Sequence, residues 1–532
     1  MIKVRTSDHI FLLQTMVEKV VKNEKGRLYA AFIDFKKAYD TVNRDFLLQR
    51  LKAVGMNGIF LRNIEAMYKR TDYYIKVKNG YLPDKINSNL GLKQGCPLSP
   101  MLFNIYIDDV ENIFDEECKP IYFQNERISH FLYADDLVLL SHSSEGLQRC
   151  LNKLSCFANE KHLTISIEKS KTMIFNQTGK FHKTYFTLDG KQLEPVQTFC
   201  YLGFDLKSSG TVKHAMNILN DKAKKALQPL LCTFARFNLP VKTSLKLFNT
   251  FISPIILYNV ENWAILSDRK LLKFTDTTVF NETGDTKTDI IHRKVLKFIL
   301  GVSKSCPNFA TYGETGEIPL SLKGYKLMLN FWFRLSHLPD NNLAKKALIE
   351  NVNLRTNWIK TIEKLLNCLK LTEFVDNRNQ FELASKKSIH SLYKTYWKNK
   401  IDDPNLVRLQ LYKSIKDELK MEEYLQMSDF EARRLITKIR CSDHKLEIEK
   451  GRHLNIPREE RICKICTAGE VENEQHFLIT CQAYNHLKIK YKIYNFDIHN
   501  LLKTVEPDIL GNYLIESFRE REKIKCGGDG VG

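Results

Sequence analysis

The sequence lacks a membrane span: there is no run of about 18 apolar residues, and even FISPIILYNVENWAIL is broken by Pro254, Asn259, Glu261 and Asn262. The amino-terminal MIKVRTSDHIF has neither the apolar core nor the small-residue cleavage site of a secretory signal. Acids are in deficit, 62 Asp+Glu against 81 Lys+Arg for a net charge of +19. That balance suits a polyanion such as nucleic acid and gives no support to a membrane partner. The 13 cysteines are an odd number scattered over a long chain, which excludes a regular disulfide framework and fits a reducing compartment, nucleus or cytoplasm. No repeat of solenoid period is present. What remains, 532 residues at 43% hydrophobic content, is a cored globular chain of about three to four domains.

Residues 27–140 alternate short apolar strands with amphipathic helices. RLYAAFIDF reads as a strand, and Asn43 caps a helix, RDFLLQRLKAVG, that stops at Gly55. YYIKVKNGYLPDKI reads as a hairpin around Asn79 and Gly80. After the turn-rich GLKQGCPLSP, Ser99 is expected to cap a helix beginning at Pro100. A helix is expected over 145–160, LTISIEKSKTMIF as a strand pair, and FCYLGFDL as a last short strand. Beyond about residue 210 helical periodicity takes over. Met216, Leu219, Ala223, Ala226, Leu230 and Phe234 share a face, with Lys213, Lys222, Lys224, Lys225 and Arg236 largely elsewhere. The loop-like TDTTVFNETGDTKTD interrupts the helical blocks, and the chain ends in GGDGVG, read as a flexible tail.

The chemistry concentrates in FLYADDLVLL, where Asp135 and Asp136 sit at the tip between two apolar, strand-forming runs. Adjacent carboxylates repel, and flanking them with buried strands raises the cost unless a cation sits between them and a third acid. Magnesium is the expected cation. A pair of such ions held roughly 3.5–4 Å apart stabilises both the attacking and the leaving oxygen of a phosphoryl transfer, so nucleotidyl transfer is the implied reaction. Asp34, ending the apolar run AAFID, is the best third carboxylate, although a lone Asp at a strand end is more often a turn or cap residue. YIDD at Tyr106–Asp109 imitates the signature. It lies in an amphipathic run where Leu102, Phe103, Tyr106 and Val110 share a face, so Asp108 and Asp109 are read as solvated helix residues.

AAFIDFKKAYDTV, NLGLKQGCPLSPMLFNIYIDDV, FLYADDLVLL, LTISIEKSKTM and FCYLGFDL together resemble, in order and spacing over about residues 6–206, the palm motifs of reverse transcriptases of non-LTR (LINE-type) retrotransposons. The resemblance implies that Asp34 and Asp135 hold two Mg2+ ions with Asp136 completing the acidic pair. Its implied partners are an RNA template, a DNA primer and deoxynucleoside triphosphates. Tyr39 occupies the place of the family's aromatic residue, where a ring excludes a 2′ hydroxyl; the alternative is a core tyrosine packed behind the strand. Gly91 and Gly95 permit a loop to lie against a base pair, with Gln94 offering a donor and an acceptor; the alternative is an ordinary turn before a helix. Lys169 resembles the lysine near the triphosphate, although solvated lysines are commoner. The stretch 213–236 stands where the family has its thumb, so Lys222, Lys224 and Lys225 are candidate phosphate contacts, against the alternative of a solvated helix face.

Downstream, Cys463, Cys466, His476 and Cys481 form C-x2-C-x9-H-x4-C. Four such donors suit a closed, structural tetrahedral Zn2+ site in a segment expected to have little core of its own. Three buried thiols with an incidental histidine are the alternative; Cys441 and His444 are possible substitute ligands, though a helix through them is the simpler account. The expected fold class is α+β: fingers remnant and right-hand polymerase palm, an antiparallel sheet with helices (1–206), helical thumb (207–320), helical connector (321–440), and a C-terminal segment with the zinc knuckle (441–532). The finger strands that precede SDHIF in the family are expected to be mostly missing, and no nuclease core is legible. The function expected is RNA-directed DNA polymerase. The alternative is a catalytically inactive truncated product that binds nucleic acid; an RNA-dependent RNA polymerase is disfavoured by Tyr39 and YADD.

Overall fold

A computed structural model describes residues 5–69, 71–78, 80–264, 286–404 and 408–527. Asn79, most of the loop expected over 275–289, and the tail after Gly527 lie outside the described residues. Lys287–Asp289, expected to be loop, instead open a helix, Lys287–Leu300, capped by the Thr286 side chain. Contacts divide the chain into two compact units, Met1–Ala215 with Arg334–Lys360, and Met216–Phe333 with Thr361–Gly532. This grouping differs from the four segments expected, since no division falls at 320 or at 440. No helix among the described residues is long and apolar enough to cross a membrane.

In the first unit α1 (Thr6–Val17) leads into β1 (Leu28–Asp34), α2 (Arg44–Ala53), α3 (Gly58–Lys69) and the hairpin β2 (Thr71–Val77) and β3 (Gly80–Ser88). Then come α4 (Ser99–Ile107), the small hairpin β4 (Ile121–Phe123) and β5 (Glu126–Ile128), β6 (His130–Tyr133), β7 (Asp136–Ser141) and α5 (Ser144–Glu160). β8 (Lys171–Phe175), β9 (Phe186–Leu188), β10 (Lys191–Pro195), β11 (Thr198–Tyr201) and β12 (Phe204–Lys207) complete the strands. The main sheet runs β6-β7-β1-β8-β10-β9 and is antiparallel except where β10 meets β8. β1 is apolar on both faces because both are covered. Ala31 and Ile33 join Leu137, Leu139, Leu147, Leu151 and Phe103 in the core beneath α4 and α5. On the other face Phe32 stacks on Phe199 of β11, with ring centroids 4.2 Å apart.

Three local expectations are corrected. Ser99 does not cap α4: Leu98 holds that position, and the Ser99 hydroxyl instead donates to the Lys93 carbonyl at 2.6 Å. LTISIEKSKTMIF gives one strand, β8, because 164–170 is tied down as a loop at the end of β1. FCYLGFDL is a hairpin of two strands, β11 and β12, turning at Leu202 and Gly203.

Residues 334–360 rejoin the first unit by gripping α1. The Asn351 amide donates to the Thr15 hydroxyl at 2.7 Å, Lys19 Nζ lies 2.8 Å from Glu350, Arg334 pairs with Asp8, and Trp358 packs on Phe11. Among the described residues the second unit is helical, with only isolated β-bridges. It contains most of α6 (Lys213–Phe237), whose buried stripe is Ala215, Leu219, Ala223, Leu227 and Phe234. Ala226, expected on that stripe, is exposed. The core of this unit includes an ion pair between the buried Glu314 and Arg440, Oε2 to Nε 2.9 Å, which Tyr424 joins through its hydroxyl.

Candidate active site and Cys/His cluster

The three carboxylates predicted from the sequence converge at one end of the main sheet. β1 and β7 pair so that Asp34 stands directly opposite Asp136, while β6 and β7 pair Tyr133 with Asp136 across a two-residue turn. Ala134 enters that turn at φ +54°, the left-handed region that costs a non-glycine residue about 1–2 kcal/mol, and Asp135 follows it at the tip. Burial, then Asp135, then Asp34 raise the Asp136 carboxyl above its ordinary range, although its side chain reaches solvent. Asp34 Oδ2 is buried and accepts no hydrogen bond among the described residues. Lys169 Nζ approaches it at 3.7 Å from an exposed position. Three carboxylates, one oxygen without a hydrogen bond and, among the described residues, a single loose counter-charge fit a site built to receive a cation.

Backbone groups and the Ser170 hydroxyl fix this end of the sheet. The Asp34 N–H donates to Ser170 Oγ at 3.1 Å, and the Ser166 N–H donates to the Asp34 carbonyl at 2.7 Å. Tyr39 is half-buried and stacks on Phe103, centroids 4.8 Å apart. Burial, then Asp135, push its phenol up. Gly91 has φ +81°, and a Cβ there would lie 2.7 Å from the Asp40 carbonyl, so no larger residue fits. At Gly95 the space is open and φ +84° alone favours glycine. Gln94 Nε2 donates to Asp40 Oδ1 at 2.9 Å, which ties the loop to the segment carrying Tyr39. Asp109 is not simply solvated: it pairs at 2.6 Å with Lys161, whose side chain is buried. Lys222, Lys224 and Lys225 are exposed on α6, Lys224 pairing with Asp221 at 2.8 Å.

Sequence reasoning missed Arg44. Its buried guanidinium donates to four carbonyls, those of Gly91 (2.9 Å), Tyr68 (3.1 Å), Ser88 (2.6 Å) and Leu90 (2.9 Å). It thereby joins α2, the end of α3, the β2–β3 hairpin and the glycine loop. Locally it looks like any polar residue in the first turn of a helix. His9 was missed too. Its buried ring meets Tyr133 edge-on, centroids 5.3 Å apart, and burial lowers its imidazole to about 4.

In the second unit, one ligand atom from each of Cys463, Cys466, His476 and Cys481 lies within 4.8 Å of the others. His476 Nε2 faces Cys466 Sγ at 3.4 Å, while Nδ1 lies 2.7 Å from Glu470 Oε2, an arrangement that aims Nε2 at the thiols. The Cys463 thiol is held low by a hydrogen bond from Cys481, whose own thiol is raised by sharing that proton. Cys441 and His444 stay outside the cluster, His444 Nε2 bonding Glu474 at 2.9 Å. They lie past the end of the helix Phe430–Arg440, so a helix through them is corrected to a turn. The segment also has the core it was expected to lack. Phe477, Leu478, Tyr484, Tyr513 and Leu514 are buried around it, and the buried Glu472 receives Arg521 at 2.9 and 2.5 Å.

An antiparallel sheet backed by helices, with acids at the ends of its central strands, defines a polymerase palm. Residues 3–206 match the family described as reverse transcriptase (RNA-dependent DNA polymerase), so this segment is a reverse transcriptase domain. Pol polyproteins of R2 retrotransposable elements are among the proteins similar to it. The Pol polyprotein of a type-1 R2 retrotransposable element from Popillia japonica is 26% identical over 316 residues, covering 56% of this chain and 50% of that protein. The corresponding R2 protein of Nasonia vitripennis is also 26% identical, over 56% of this chain and 29% of that protein. The chain thus spans half or less of the length of these relatives. Apo telomerase from Candida tropicalis aligns over 73% of this chain and 55% of its own at 11% identity, with a TM-score of 0.31, too loose a likeness to bear on function.

Proposed function

We propose that the chain is an RNA-directed DNA polymerase that extends a DNA primer on an RNA template by two-metal nucleotidyl transfer. The observation that carries this reading is the opposition of Asp34 and Asp136 beside Asp135, with Asp34 Oδ2 buried and accepting no hydrogen bond among the described residues. Asp34 and Asp135 would hold Mg2+, with Asp136 keeping the site acidic. Bound there, the two ions supply charge stabilisation of the attacking and leaving oxygens. Tyr39, braced by Phe103, would stand beside the sugar and disfavour a 2′ hydroxyl, while Gly91, Gln94 and Gly95 would lie against the nascent base pair. Lys169, drawn toward Asp34, would turn to the triphosphate once cations neutralise the acids. Lys222, Lys224 and Lys225 would touch the phosphates of the duplex without reading its sequence. The test is primer extension on a primed RNA template with Mg2+ and deoxynucleotides. Wild type extends and Asp135→Ala does not; equal incorporation by both rejects catalysis at these carboxylates, and none by either leaves the chain a nucleic-acid-binding product without catalysis.

The Cys/His cluster is proposed to hold one structural Zn2+. Tetrahedral zinc with Zn–S near 2.3 Å separates its donors by about 3.5–4 Å, compatible with the 4.8 Å grouping. Metal analysis decides: one equivalent of zinc is expected, and loss of it when Cys463 and Cys466 are both changed to Ser. Less than about half an equivalent in wild type, or retention in the variant, rejects the site.

A further inference from the structure

In the second unit a groove of about 530 Å³ is bordered by the end of α6 and by the helices Lys287–Leu300 and Phe430–Arg440. Its lining carries four cations, Lys297, Arg434, Lys438 and Lys445, and one carboxylate, Asp443. That carboxylate is already engaged by Ser303, through the backbone N–H at 2.6 Å and through the hydroxyl. Arg434, Lys438 and Lys445 have no carboxylate oxygen within 4.0 Å among the described residues. Arg434 is anchored by Nε donating to the Gly301 carbonyl at 3.0 Å, which fixes its planar head at the groove. Lys438 is partly buried, and burial together with Arg434 pushes its ammonium down. Cations crowded into a recess with too few acids oppose folding unless an anion joins them.

The lining also includes Phe298, 42% exposed beside this charge. An exposed ring among fixed cations is the combination that grips a single strand, with phosphates on the cations and a base on the ring. A compact inorganic anion would use the cations and leave the ring idle. We propose that this groove binds a segment of single-stranded nucleic acid, a site separate from the palm and independent of whether the palm catalyses.

The test uses the full chain with a labelled oligouridylate and the matching oligothymidylate, titrated over a range of salt. Replacing the three cations (Arg434→Gln, Lys438→Gln, Lys445→Gln) should make the slope of log affinity against log salt shallower by about 2, taking roughly 0.7 per phosphate contact. Phe298→Ala should weaken binding by about 5- to 150-fold, the effect of one lost base stack. If strand binding at the palm dominates the affinity, photocrosslinking with 4-thiouridine in the strand still reads the groove, with adducts expected within 297–303 and 430–445. Stronger adducts with one of the two strands would tell whether the groove prefers RNA or DNA. An unchanged salt slope with no adduct in either segment overturns the proposal. So does release of the labelled strand from the groove by an acidic peptide or inorganic phosphate but not by the same strand unlabelled. Primer extension on a short annealed template is read in parallel, so that loss of extension with adducts intact counts against the polymerase alone.

Discussion

The carboxylate site of the palm and the Cys/His cluster of the second unit are built on opposite plans. In the palm three acids face one another with Lys169 as their nearest counter-charge, one oxygen without a hydrogen bond, and support that comes from backbone groups and Ser170. In the cluster each supporting group is a side chain already committed: Glu470 to His476, Glu472 to Arg521, and Cys463 to a proton shared with Cys481. An unsatisfied site favours exchange of the cation proposed for it. A satisfied, enclosed one favours retention. The two plans predict different responses to the same perturbation, and the largest response belongs to the cluster.

Removing the metal proposed for it should be a stability event. Structural zinc contributes about 10–16 kcal/mol of apparent binding energy in small domains, but here the surrounding core of Phe477, Leu478, Tyr484 and Tyr513 retains part of the fold. Cys463→Ser with Cys466→Ser should lower the unfolding temperature by several degrees at least and leave the helix Pro507–Gly527 more open to hydrogen exchange. In the palm, chelation should abolish extension at once, with full recovery on adding Mg2+ and little change in melting. A melting curve as sensitive to removal of Mg2+ as to loss of the thiols would break the contrast.

The second-largest effect tests the scaffold under the open site. Arg44→Gln leaves carbonyls of Gly91, Tyr68, Ser88 and Leu90 short of a buried donor. At about 1–3 kcal/mol for each unsatisfied group, partly recovered by water, a loss of about 3–5 kcal/mol is expected. Because Arg44 touches no reacting atom, the variant should raise KM for the nucleotide as the glycine loop loosens. Arg44→Lys, with fewer donors, should recover only part. Unfolding at the wild-type denaturant midpoint would show that the four contacts are dispensable.

Both sites were legible in the sequence for the same reason. Adjacent acids between strands, and thiols at fixed spacing, are costly patterns that local chemistry exposes. The end of β1 and the Asp135/Asp136 hairpin fall where alternation and turn signals put them. What stayed hidden is long-range. Nothing in residues 334–360 distinguishes a helix that returns to α1 from one that continues a connector, and nothing near Arg44 marks a guanidinium that will be buried. Lys161, which pairs with Asp109, is likewise an ordinary lysine at a helix end until the fold brings the two together. The strand pair read into LTISIEKSKTMIF failed because alternation cannot see that the backbone of 164–170 is used to hold Asp34 and Lys36.

The smallest predicted effect is the most specific to an open carboxylate site. The Asp136 carboxyl is raised in the folded chain by burial and by its two acidic neighbours. The folded state therefore holds its proton to higher pH than the unfolded state. Its contribution to stability is present below the unfolded carboxyl range near 4 and is lost as pH rises through the folded value. At neutral pH, without divalent metal, the ionised triad thus opposes folding. Asp136→Asn removes one of the like charges, so it should melt slightly higher than wild type at pH 7.5 and the same or lower at pH 4. Mg2+ should close the gap by raising the wild type alone. Extension should be lost, so one substitution stabilises the fold while removing its activity. A variant less stable than wild type at pH 7.5 without metal would mean that Asp136 is a structural carboxylate, and that the palm is as satisfied as the cluster.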